Sequence, residues 1–391
     1  MNNSGQKILV VDDEPDLQML MMQKFRHKVR SKEYEFMFAE NGREALDTIS
    51  DNSEISLILS DINMPKMDGL TLLNELQDLQ RNDLKAIMVS AYGDMENIRT
   101  AMNRGAYDFV TKPIDFNDLE TTIEKTLKEI SRIKNAKEME EQLSSLNYDL
   151  DMAARIQQKI LKQDFPVYDD DKRFDVYAHM IAAKHVGGDF YDFFKIGDDK
   201  FVFFIGDVSG KGMPASIYMA VCRTMLKAIG SEVTDPAECI SKVNNMLIPE
   251  SDITTFVTVF YGIIDLEKGE LSYCNGGHNL PYLVSKDGEV KEMSDVGGLL
   301  LGKFENAEYD MSTIQLEPGD SIVTFTDGVT EAENDSGGFF DEERVIKYLN
   351  KSADKKLNPL VKGLFLEVMK FADTAPQSDD ITVLTTRYEG N

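Results

Sequence analysis

The sequence contains little cysteine, a deficit of basic residues and no long apolar run. Its three cysteines, Cys222, Cys239 and Cys274, show no metal-binding or redox spacing, which predicts a reduced, cytoplasmic protein. No stretch approaches the roughly 20 apolar residues of a membrane helix, and the N-terminal residues form no apolar signal segment. Acidic residues outnumber basic ones by 69 to 42, a formal net charge of −27. This excess disfavours binding to nucleic acid or to an anionic membrane.

The length and composition indicate two or three soluble domains. Hydrophobic residues make up 42% and charged residues 28% of the 391 residues, as in globular proteins. A chain of this length can bury a separate core in each domain. The pattern along the chain predicts an α/β domain in residues 1–120, a helical linker in 121–163 and a second α/β domain in 164–391.

Apolar runs and amphipathic segments alternate in residues 7 to about 120. Residues 7–11 end in a continuous apolar run, typical of a strand buried on both faces of a parallel sheet. Comparable runs occupy residues 55–60, 86–89 and 107–110. The alternation predicts a doubly wound sheet with its site at the carboxyl ends of the strands. The polar residues at these ends are Asp12, Asp13, Asp61, Ser90 and Lys112.

These five residues form a constellation that can accept a phosphoryl group. Asp61 is the predicted nucleophile, which would give an aspartyl phosphate. Asp12 and Asp13 are expected to hold Mg²⁺, which neutralises the transferring group. Ser90 and Lys112 are expected to contact the phosphoryl oxygens. The bond between Lys112 and Pro113 is a candidate cis peptide that would aim the lysine.

The same region resembles the response-regulator receiver family. The resemblance rests on VVDDE at 10–14, SDINMPKMDG at 60–69, VSA at 89–91 and GAYDFVTKP at 105–113. It implies a flavodoxin-like sheet of five parallel strands and an upstream histidine kinase as the source of the phosphoryl group on Asp61. It also implies that Asn63 gives its backbone carbonyl to Mg²⁺ and that Phe109 rotates together with Ser90.

An apolar stripe at steps of three and four residues continues into the middle of the chain. Neither Gly nor Pro occurs between Ile114 and Phe165, which predicts one long helix with coiled-coil character. A step of three between Ala153 and Ile156 interrupts the heptads. We expect a parallel homodimer through this helix; the alternative is a helix folded back onto a neighbouring domain. The stripe consists of Leu119, Ile123, Leu127, Ile130, Met139, Leu143, Leu146, Leu150, Ala153, Ile156 and Ile160.

Residues 164–391 are rich in strands and contain several helical patterns. This mixture predicts an α/β sandwich with a mainly antiparallel core, and the pattern leaves the strand order open. Strands are predicted at 174–180, 201–205, 256–264, 271–274, 281–284, 321–325 and 381–386. Helices are predicted at 215–229, 236–247, 342–350 and 357–372.

Four acidic turns lie beside the predicted strands. Carboxylates in such places, without partnering His or Cys residues, favour a hard metal ion over zinc. Two close ions bridged by a carboxylate can activate a water and hold a phosphoryl group. No Ser-His-Asp spacing, nucleophile elbow or P-loop competes with this interpretation. The turns are GGDFYD at 187–192, GDV at 206–208, TDGV at 326–329 and SDDIT at 378–382.

This half of the sequence resembles the type 2C metal-dependent protein phosphatases of the SpoIIE/RsbU-like bacterial branch. The resemblance covers nearly all of residues 150–388 and includes AARIQQKIL at 153–161 and GGHNLP at 276–281. It implies hydrolysis of phosphoserine or phosphothreonine in a protein, with two Mn²⁺ or Mg²⁺ ions. The residues that it implies for the metal centre are Asp189, Asp207, Val208, Asp327 and Asp379, of which Asp207, Asp327 and Asp379 are the predicted catalytic residues.

The resemblance also implies a role for each ligand. Asp207 would bridge the two ions, and Val208 would offer its backbone carbonyl. Asp327 and Asp379 would complete the shell of the first ion, with Asp380 the less favoured choice beside Asp379. Asp189 would contact a metal directly or through a water.

Two residue types near this centre affect the mechanism. His278 has two interpretations, a general acid or a turn histidine that makes structural hydrogen bonds, and the second is favoured. The sequence offers no obvious basic residue that could clamp a phosphate. The affinity for the substrate is therefore expected to rest on the metal ions.

The two resemblances together imply a response regulator whose phosphatase output is controlled by phosphorylation of Asp61 through the linker. The expected substrate is a phosphorylated anti-sigma-factor antagonist of the small STAS type. A first alternative is a phosphatase-shaped module that sequesters an anti-sigma or adaptor partner without turnover; the complete set of metal-site acids weighs against it. A second alternative, a DNA-binding regulator, is disfavoured by the acid-rich output half, which shows no helix-turn-helix.

Overall fold

A parallel sheet of five strands organises the first of two compact units, which comprise Met1–Leu146 and Asn147–Asn391. The computed structural model describes residues 5–91, 93–168, 170–251 and 254–390. The strands of the first unit are β1 (Gln6–Val11), β2 (Tyr34–Ala39), β3 (Leu57–Asp61), β4 (Lys85–Ala91) and β5 (Asp108–Lys112). Their spatial order, β2-β1-β3-β4-β5, confirms the flavodoxin-like sheet.

Helices cover both faces of this sheet, which explains the uninterrupted apolar runs. In β1, Leu9 and Val11 pack into one core cluster, whereas Ile8 and Val10 pack into the cluster on the other face. The side chains of Asn41 and Asp68 accept hydrogen bonds from the first turns of α3 and α4 and fix where these helices begin. The helices are α1 (Pro15–Lys24), α2 (Arg26–Arg30), α3 (Gly42–Asp51), α4 (Gly69–Asp78) and α5 (Met95–Asn103).

The next helix, α6 (Phe116–Ile160), is a single helix of 45 residues, as the unbroken stripe predicts. Leu119, Ile123, Leu127 and Ile130 of its first part are buried in the core of the first unit. Farther along, Met139, Leu143 and Leu146 are 71%, 57% and 55% exposed. The same apolar stripe is therefore covered at its start and bare in its middle.

The second unit contains two sheets that together hold eleven strands among the described residues. The first sheet has the order β13-β10-β9-β8-β7, with β14 also paired to β10, and the second has the order β12-β11-β15-β16-β6. Apart from the short parallel pair of β10 and β13, the pairings are antiparallel. The strands are β6 (Phe174–Ile181), β7 (Phe190–Ile196), β8 (Lys200–Val208), β9 (Val257–Asp265), β10 (Glu270–Gly276), β11 (Tyr282–Val284), β12 (Val290–Glu292), β13 (Gly297–Gly298), β14 (Ser312–Gln315), β15 (Ser321–Phe325) and β16 (Ile381–Tyr388).

The two sheets face each other across an apolar core, which makes the unit a four-layer α/β sandwich. Val176 and Leu384 of the second sheet pack into one cluster with Phe203 and Phe260 of the first. Helices cover the outer faces; Val383, for example, packs with residues of α11. The helices are α7 (Met213–Gly230) and α8 (Pro236–Leu247) over the first sheet, and α10 (Asp341–Asn350) and α11 (Leu357–Ala372) over the second, with a short α9 (Asp327–Thr330) after β15.

Strand β7 was not predicted from the sequence, because its start overlaps the acidic turn at 187–192. The aromatic residues Phe190 and Phe193 of this strand are fully buried. Among the helices of the described residues, none combines the length and apolar character needed to cross a membrane.

Candidate functional site

The first candidate site lies at the carboxyl ends of β1, β3 and β5, where the sequence predicted it. Carboxylate oxygens of Asp12, Asp13 and Asp61 lie within 4.8 Å of one another. Asp12 and Asp13 directly follow β1, and Asp61 is the last residue of β3. Because neighbouring parallel strands end at one edge of a sheet, the alternating pattern brings these acids together.

Lys112, at the end of β5, forms ion pairs with acidic residues of this site. Its Nζ lies 2.7 Å from Asp61 Oδ2, 3.2 Å from Asp12 Oδ2 and 3.3 Å from Glu14 Oε1. The peptide bond between Lys112 and Pro113 is cis, as expected. Burial opposes the charge of the lysine, but the hydrogen bond to Asp61 and the nearby carboxylates outweigh it and raise the pKa of Lys112. Burial raises the pKa of Asp12.

The predicted switch residues lie on β4 and β5. Ser90 is fully buried, and its hydroxyl finds no hydrogen-bond partner among the described residues. Phe109 is exposed on the neighbouring strand, where it pairs in register with Met88. An unpaired buried hydroxyl on the strand beside Asp61 has the donor capacity that a phosphoryl oxygen on that acid would require.

The donor set of this site fits Mg²⁺. Asp12, Asp13 and Asp61 supply hard carboxylate oxygens, and Asn63, exposed two residues after Asp61, has its backbone available at the same edge. Bound there, Mg²⁺ would neutralise charge on a transferring phosphoryl group. The carboxylate of Asp61 is oriented by the backbone amide of Ile62, which donates to Oδ1 over 2.7 Å.

The second candidate site lies at one end of the sandwich, where four strand ends from both sheets meet. The start of β7 lies beside the end of β8, because Phe190 pairs with Gly206, and the end of β15 lies beside the start of β16, because Phe325 pairs with Val383. The four predicted acidic turns occupy these ends. The structure therefore collects Asp189, Asp207, Asp327 and Asp379 from distant parts of the sequence.

Asp189 is the most firmly held of these acids. It is 1% exposed, and its Oδ2 accepts hydrogen bonds from Thr326 Oγ1 over 2.7 Å and from Thr382 Oγ1 over 2.6 Å. The backbone amide of Thr382 donates to Thr326 Oγ1 over 3.0 Å. Thr382 lies in β16 and Thr326 directly follows β15, whereas Asp189 directly precedes β7 of the first sheet, so these bonds join the two sheets at the site.

The adjacent acids Asp379 and Asp380 have different surroundings. The carboxylate of Asp380 is buried and accepts backbone hydrogen bonds from Ala183 over 2.8 Å and from Gly188 over 2.7 Å. Asp379 is partly exposed and makes an ion pair. Both oxygens of Asp379 also have partners, the amide of Asp380 and the ammonium of Lys211. Asp379 is nevertheless the more exposed of the two acids and therefore the more accessible to an ion.

Asp207 and Val208 form the end of β8. Burial, followed by the charge of Asp327, raises the pKa of Asp207 to about 7, and burial with the charge of Asp207 raises the pKa of Asp189. Burial and Asp379 raise the pKa of Asp327. A Cβ atom on Gly188 would lie 2.7 Å from the carbonyl oxygen of Val208, so glycine keeps the space beside that carbonyl open.

The residues at this centre fit hard divalent cations. The donors are carboxylates and one backbone carbonyl, and bound cations would offset the burial and mutual repulsion that raise the pKa values of Asp189, Asp207 and Asp327. The acids are spread more widely than those of the first site: within the described parts of the chain, Asp12, Asp13 and Asp61 are the trio whose oxygens lie within 4.8 Å of one another.

Lys211 is a site residue that the sequence reasoning missed. Its Nζ lies 2.7 Å from Asp379 Oδ2 and donates to the carbonyl of Ser378 over 2.6 Å. The sequence offered no obvious basic residue that could clamp a phosphate, and the structure places Lys211 beside one of the candidate metal ligands. The available signal was the Gly-Lys-Gly turn four residues after Asp207, which places a lysine where the loop leaves the acids.

His278 has the surroundings of a structural residue. It is buried, its Nδ1 lies 2.8 Å from Thr258 Oγ1, and the side chain of Asn275 bonds both backbone groups of His278 over 2.8 Å. Burial lowers the pKa of His278 to about 4. Because Thr258 pairs in register with Asp207, the neutral imidazole supports the strand beside the site and is a poor proton donor at neutral pH.

Asp192, in the same acidic turn as Asp189, lies away from the metal candidates. It is fully buried inside β7, where its carboxylate pairs with Arg223 at 2.5 Å and with Lys162 and Lys227 at 3.4 Å each. Successive side chains of a strand point to opposite faces. Because Asp189 and Asp192 are three positions apart, their side chains lie on opposite faces. Asp189 therefore belongs to the candidate site, and Asp192 belongs to an internal cluster of ion pairs.

Known families match both units. Residues 8–124 match the response regulator receiver domain, and residues 197–389 match Stage II sporulation protein E (SpoIIE). The two matches fall on the units that carry the first and the second site.

Individual relatives are similar to parts of this chain. Phosphoserine phosphatase RsbU of Bacillus subtilis is 27% identical over 239 residues, which cover 61% of this chain and 70% of RsbU. Protein IcfG of Synechocystis sp. is 29% identical over 265 residues, which cover 60% of this chain but only 41% of IcfG. The SiaA-PP2C domain of Pseudomonas aeruginosa superposes with a TM-score of 0.56 at 22% identity, over 63% of this chain and 98% of that domain. The last likeness establishes a PP2C-like fold.

Proposed function

We propose, from the premise that residues 8–124 form a response regulator receiver domain and residues 197–389 a domain of the SpoIIE family, that the chain is a phosphorylation-controlled protein-serine/threonine phosphatase. The observation that carries this proposal is the gathering of Asp189, Asp207, Asp327 and Asp379 at one end of the sandwich. We divide the chain into a receiver (1–120), a helical linker (121–163) and a phosphatase domain (164–391).

The residues of the phosphatase centre would share the work as follows. Asp207 would bridge two Mn²⁺ or Mg²⁺ ions, the Val208 carbonyl and the carboxylates of Asp327 and Asp379 would complete the shell of one, and Asp189 would contact an ion directly or through a water. When bound, such ions activate a water and neutralise the phosphoryl oxygens. Hydrolysis forms a bond from water oxygen to phosphorus and breaks the ester bond, so that the serine or threonine hydroxyl leaves with a proton.

The receiver would accept its phosphoryl group on Asp61 from a histidine kinase. Asp12, Asp13, Asp61 and the Asn63 carbonyl would hold Mg²⁺. Lys112, already 2.7 Å from Asp61, would neutralise a phosphoryl oxygen, and the unpaired hydroxyl of Ser90 would donate to another. Phe109, on the strand beside Ser90, would follow the movement of the serine toward the phosphoryl group.

A chain of hydrogen bonds supports control of the phosphatase centre through α6. Gln157, near the end of this helix, is buried; its Nε2 donates to the carbonyl of Gly187 over 2.7 Å, and its Oε1 accepts from the amide of Gly187 over 3.1 Å. The next residue, Gly188, donates to Asp380 and is followed by Asp189. A shift of α6 would therefore move Gly187, which lies two residues before the candidate metal ligand Asp189.

The bare apolar stripe of α6 supports a homodimer. Exposed apolar side chains at heptad-like spacing on a polar helix are stabilised by a second helix of the same kind. We propose a cytoplasmic homodimer paired through the linker helix, in which phosphorylation of Asp61 changes the pairing.

The name of RsbU, a phosphoserine phosphatase, supports phosphoserine as the group that is hydrolysed. We propose a phosphorylated anti-sigma-factor antagonist of the STAS type. The alternative is a module that sequesters an anti-sigma or adaptor partner without turnover; the partly exposed acids Asp207 and Asp379, which leave the centre open to a substrate, favour catalysis.

The test is Mn²⁺-dependent release of phosphate from a phosphoserine protein by the full chain, with and without acetyl phosphate as a donor for Asp61. Asp207→Asn should lower turnover at least about 100-fold, the scale of losing one electrostatic stabiliser of the transition state. Asp61→Asn should leave phosphatase turnover measurable but insensitive to acetyl phosphate. Full occupancy by Mn²⁺ without turnover of any phosphoprotein would favour the sequestering module. Turnover that ignores acetyl phosphate in the parent chain would rule out the control.

A further inference from the structure

Lys211 has a position that the roles of the metal candidates leave unexplained. It lies in the loop between β8 and α7, flanked by Gly210 and Gly212, whose φ angles are +92° and +80°. Such left-handed angles are easily adopted only by glycine. The two glycines turn the chain on either side of Lys211, so that a loop from the first sheet delivers its ammonium to Asp379 beside the second.

The contact with Asp379 is direct and lies at the mouth of the centre. Nζ is 2.7 Å from Asp379 Oδ2, and the two side chains are 38% and 29% exposed. Asp327 and Asp380 also act on this ammonium electrostatically. By contrast, Asp189 is sealed inside and fixed by two threonines. Lys211 and Asp379 therefore form the part of the centre that can rearrange at small cost.

The lysine and a divalent ion make competing demands on Asp379. A coordinating carboxylate oxygen lies roughly 2.0–2.6 Å from a hard divalent cation, and an ammonium at hydrogen-bond distance from the same oxygen would face a strong repulsion from that cation. Lys211 also donates to the carbonyl of Ser378 over 2.6 Å, and this second contact does not compete with a metal ion for Asp379. It would keep the ammonium beside the mouth after Asp379 has changed its partner.

We propose that Lys211 exchanges partners: it pairs with Asp379 in the metal-free protein and binds a phosphoryl oxygen of the substrate when Asp379 serves a metal ion. The inference rests on the proposed phosphatase function. Lys211 then has two effects, since it weakens metal binding by competition and strengthens the binding of a dianionic phosphoserine group by charge and hydrogen bonding. Substrate affinity would thus depend on a basic side chain as well as on the ions.

The first measurement is the affinity of the full chain for Mn²⁺, by titration calorimetry without substrate. All variants carry Asp13→Asn and Asp61→Asn, so that the phosphatase centre dominates the signal. Lys211→Met, which keeps the length but removes the charge, should bind Mn²⁺ about tenfold more tightly, equivalent to about 1.4 kcal/mol. Lys286→Met is the matched control, because Lys286 is 48% exposed and pairs with Glu317 at 2.8 Å. It should leave the affinity unchanged.

The second measurement is steady-state hydrolysis of a phosphoserine protein at saturating Mn²⁺. Lys211→Met should raise KM about tenfold and change kcat less than threefold, whereas Lys211→Arg should keep KM near that of the parent. Unchanged KM, or Mn²⁺ affinity equal to or weaker than the parent's in a variant with an unaltered Tm, would overturn the exchange. If the parent shows no hydrolysis, the proposed function fails, and a tighter Mn²⁺ site in Lys211→Met would still support competition at Asp379.

Discussion

At the scale of single residues, the proposed phosphatase centre brings several carboxylates together, and their charges lower the stability of the metal-free fold. Asp189, Asp207 and Asp327 all have raised pKa values, and burial is the largest cause for each. A carboxyl whose pKa is raised by folding favours the folded state at low pH, and this contribution is lost as pH rises through its folded pKa. The acids therefore destabilise the metal-free fold at neutral pH.

Asp207→Asn should stabilise the metal-free protein at neutral pH. The pKa of Asp207 rises from an ordinary 3.8 to about 7, so the parent should lose stability relative to the variant as pH increases across this window. Thermal unfolding in EDTA at several pH values measures the difference in Tm.

Asp171→Asn provides a control of opposite sign. Arg173 at 2.9 Å and Lys195 at 2.7 Å lower the pKa of Asp171. Its ion pairs contribute stability above the ordinary carboxyl pKa, and this stability is lost as pH falls through the lowered one. The Asp171→Asn variant should therefore be less stable than the parent at neutral pH. If Asp207→Asn also destabilised the metal-free protein at neutral pH, repulsion among the acids would not be the dominant effect.

At the scale of elements, α6 changes its role along its length. Its first turns complete the core of the first unit, its middle carries a bare apolar stripe, and Gln157 near its end holds the loop that precedes Asp189. A single helix that packs into the first core at its start and bonds Gly187 near its end can carry a change from one section to another.

Leu146→Glu should dissociate a dimer held by the linker. Leu146 is 55% exposed in the isolated chain, so the substitution should leave the monomer folded while placing charge in the paired stripe. Sedimentation equilibrium measures the dissociation constant, which should rise at least tenfold. Ser145→Glu adds the same charge one position away, outside the stripe, and should have little effect. Equal behaviour of the two variants would point to the folded-back helix.

Gln157→Leu should disconnect the receiver from the phosphatase centre. The change removes two hydrogen bonds to Gly187 and leaves its backbone groups unpaired, a cost of about 1–3 kcal/mol. The ratio of phosphatase rates with and without acetyl phosphate should fall toward one. Gln158→Leu is the neighbouring control, because Gln158 is exposed. A normal ratio in Gln157→Leu would mean that this contact does not transmit the signal.

The strand ends of the receiver could be predicted from the sequence, whereas the strand order of the sandwich could not. In the receiver, each site residue follows a contiguous apolar run, so Asp12, Asp61 and Lys112 could be placed at strand ends from local pattern alone. In the sandwich, the strand order depends on pairings such as β6 with β16, about 200 positions apart, and no local signal encodes them. For Lys211 the Gly-Lys-Gly turn after Asp207 was a local signal, but its pairing with Asp379, which is distant in sequence, was not predictable from local pattern.

At the scale of the whole molecule, the two candidate metal sites belong to two units with separate cores. Mn²⁺ at 100 times its dissociation constant should stabilise the phosphatase unit by about 2.7 kcal/mol, because it binds the folded form. Asp207→Asn should remove most of this stabilisation of the phosphatase unit. Asp13→Asn should leave the stabilisation of the phosphatase unit intact and reduce the stabilisation of the receiver by the metal ion. Calorimetric unfolding with and without Mn²⁺ measures both. Loss of the phosphatase effect in Asp13→Asn would mean that the assignment of the sites is wrong.

The strand ends that supply Asp189 and Asp379 are 190 positions apart in the sequence (189 to 379), and the bonds from Thr326 and Thr382 to Asp189 require both sheets. A ribosome must therefore have synthesised the chain through the start of β16 before these groups can meet. Until then the nascent protein can contain a folded receiver domain but not the second candidate site. Synthesis thus imposes an order in which the receiver domain can fold before the second candidate site forms.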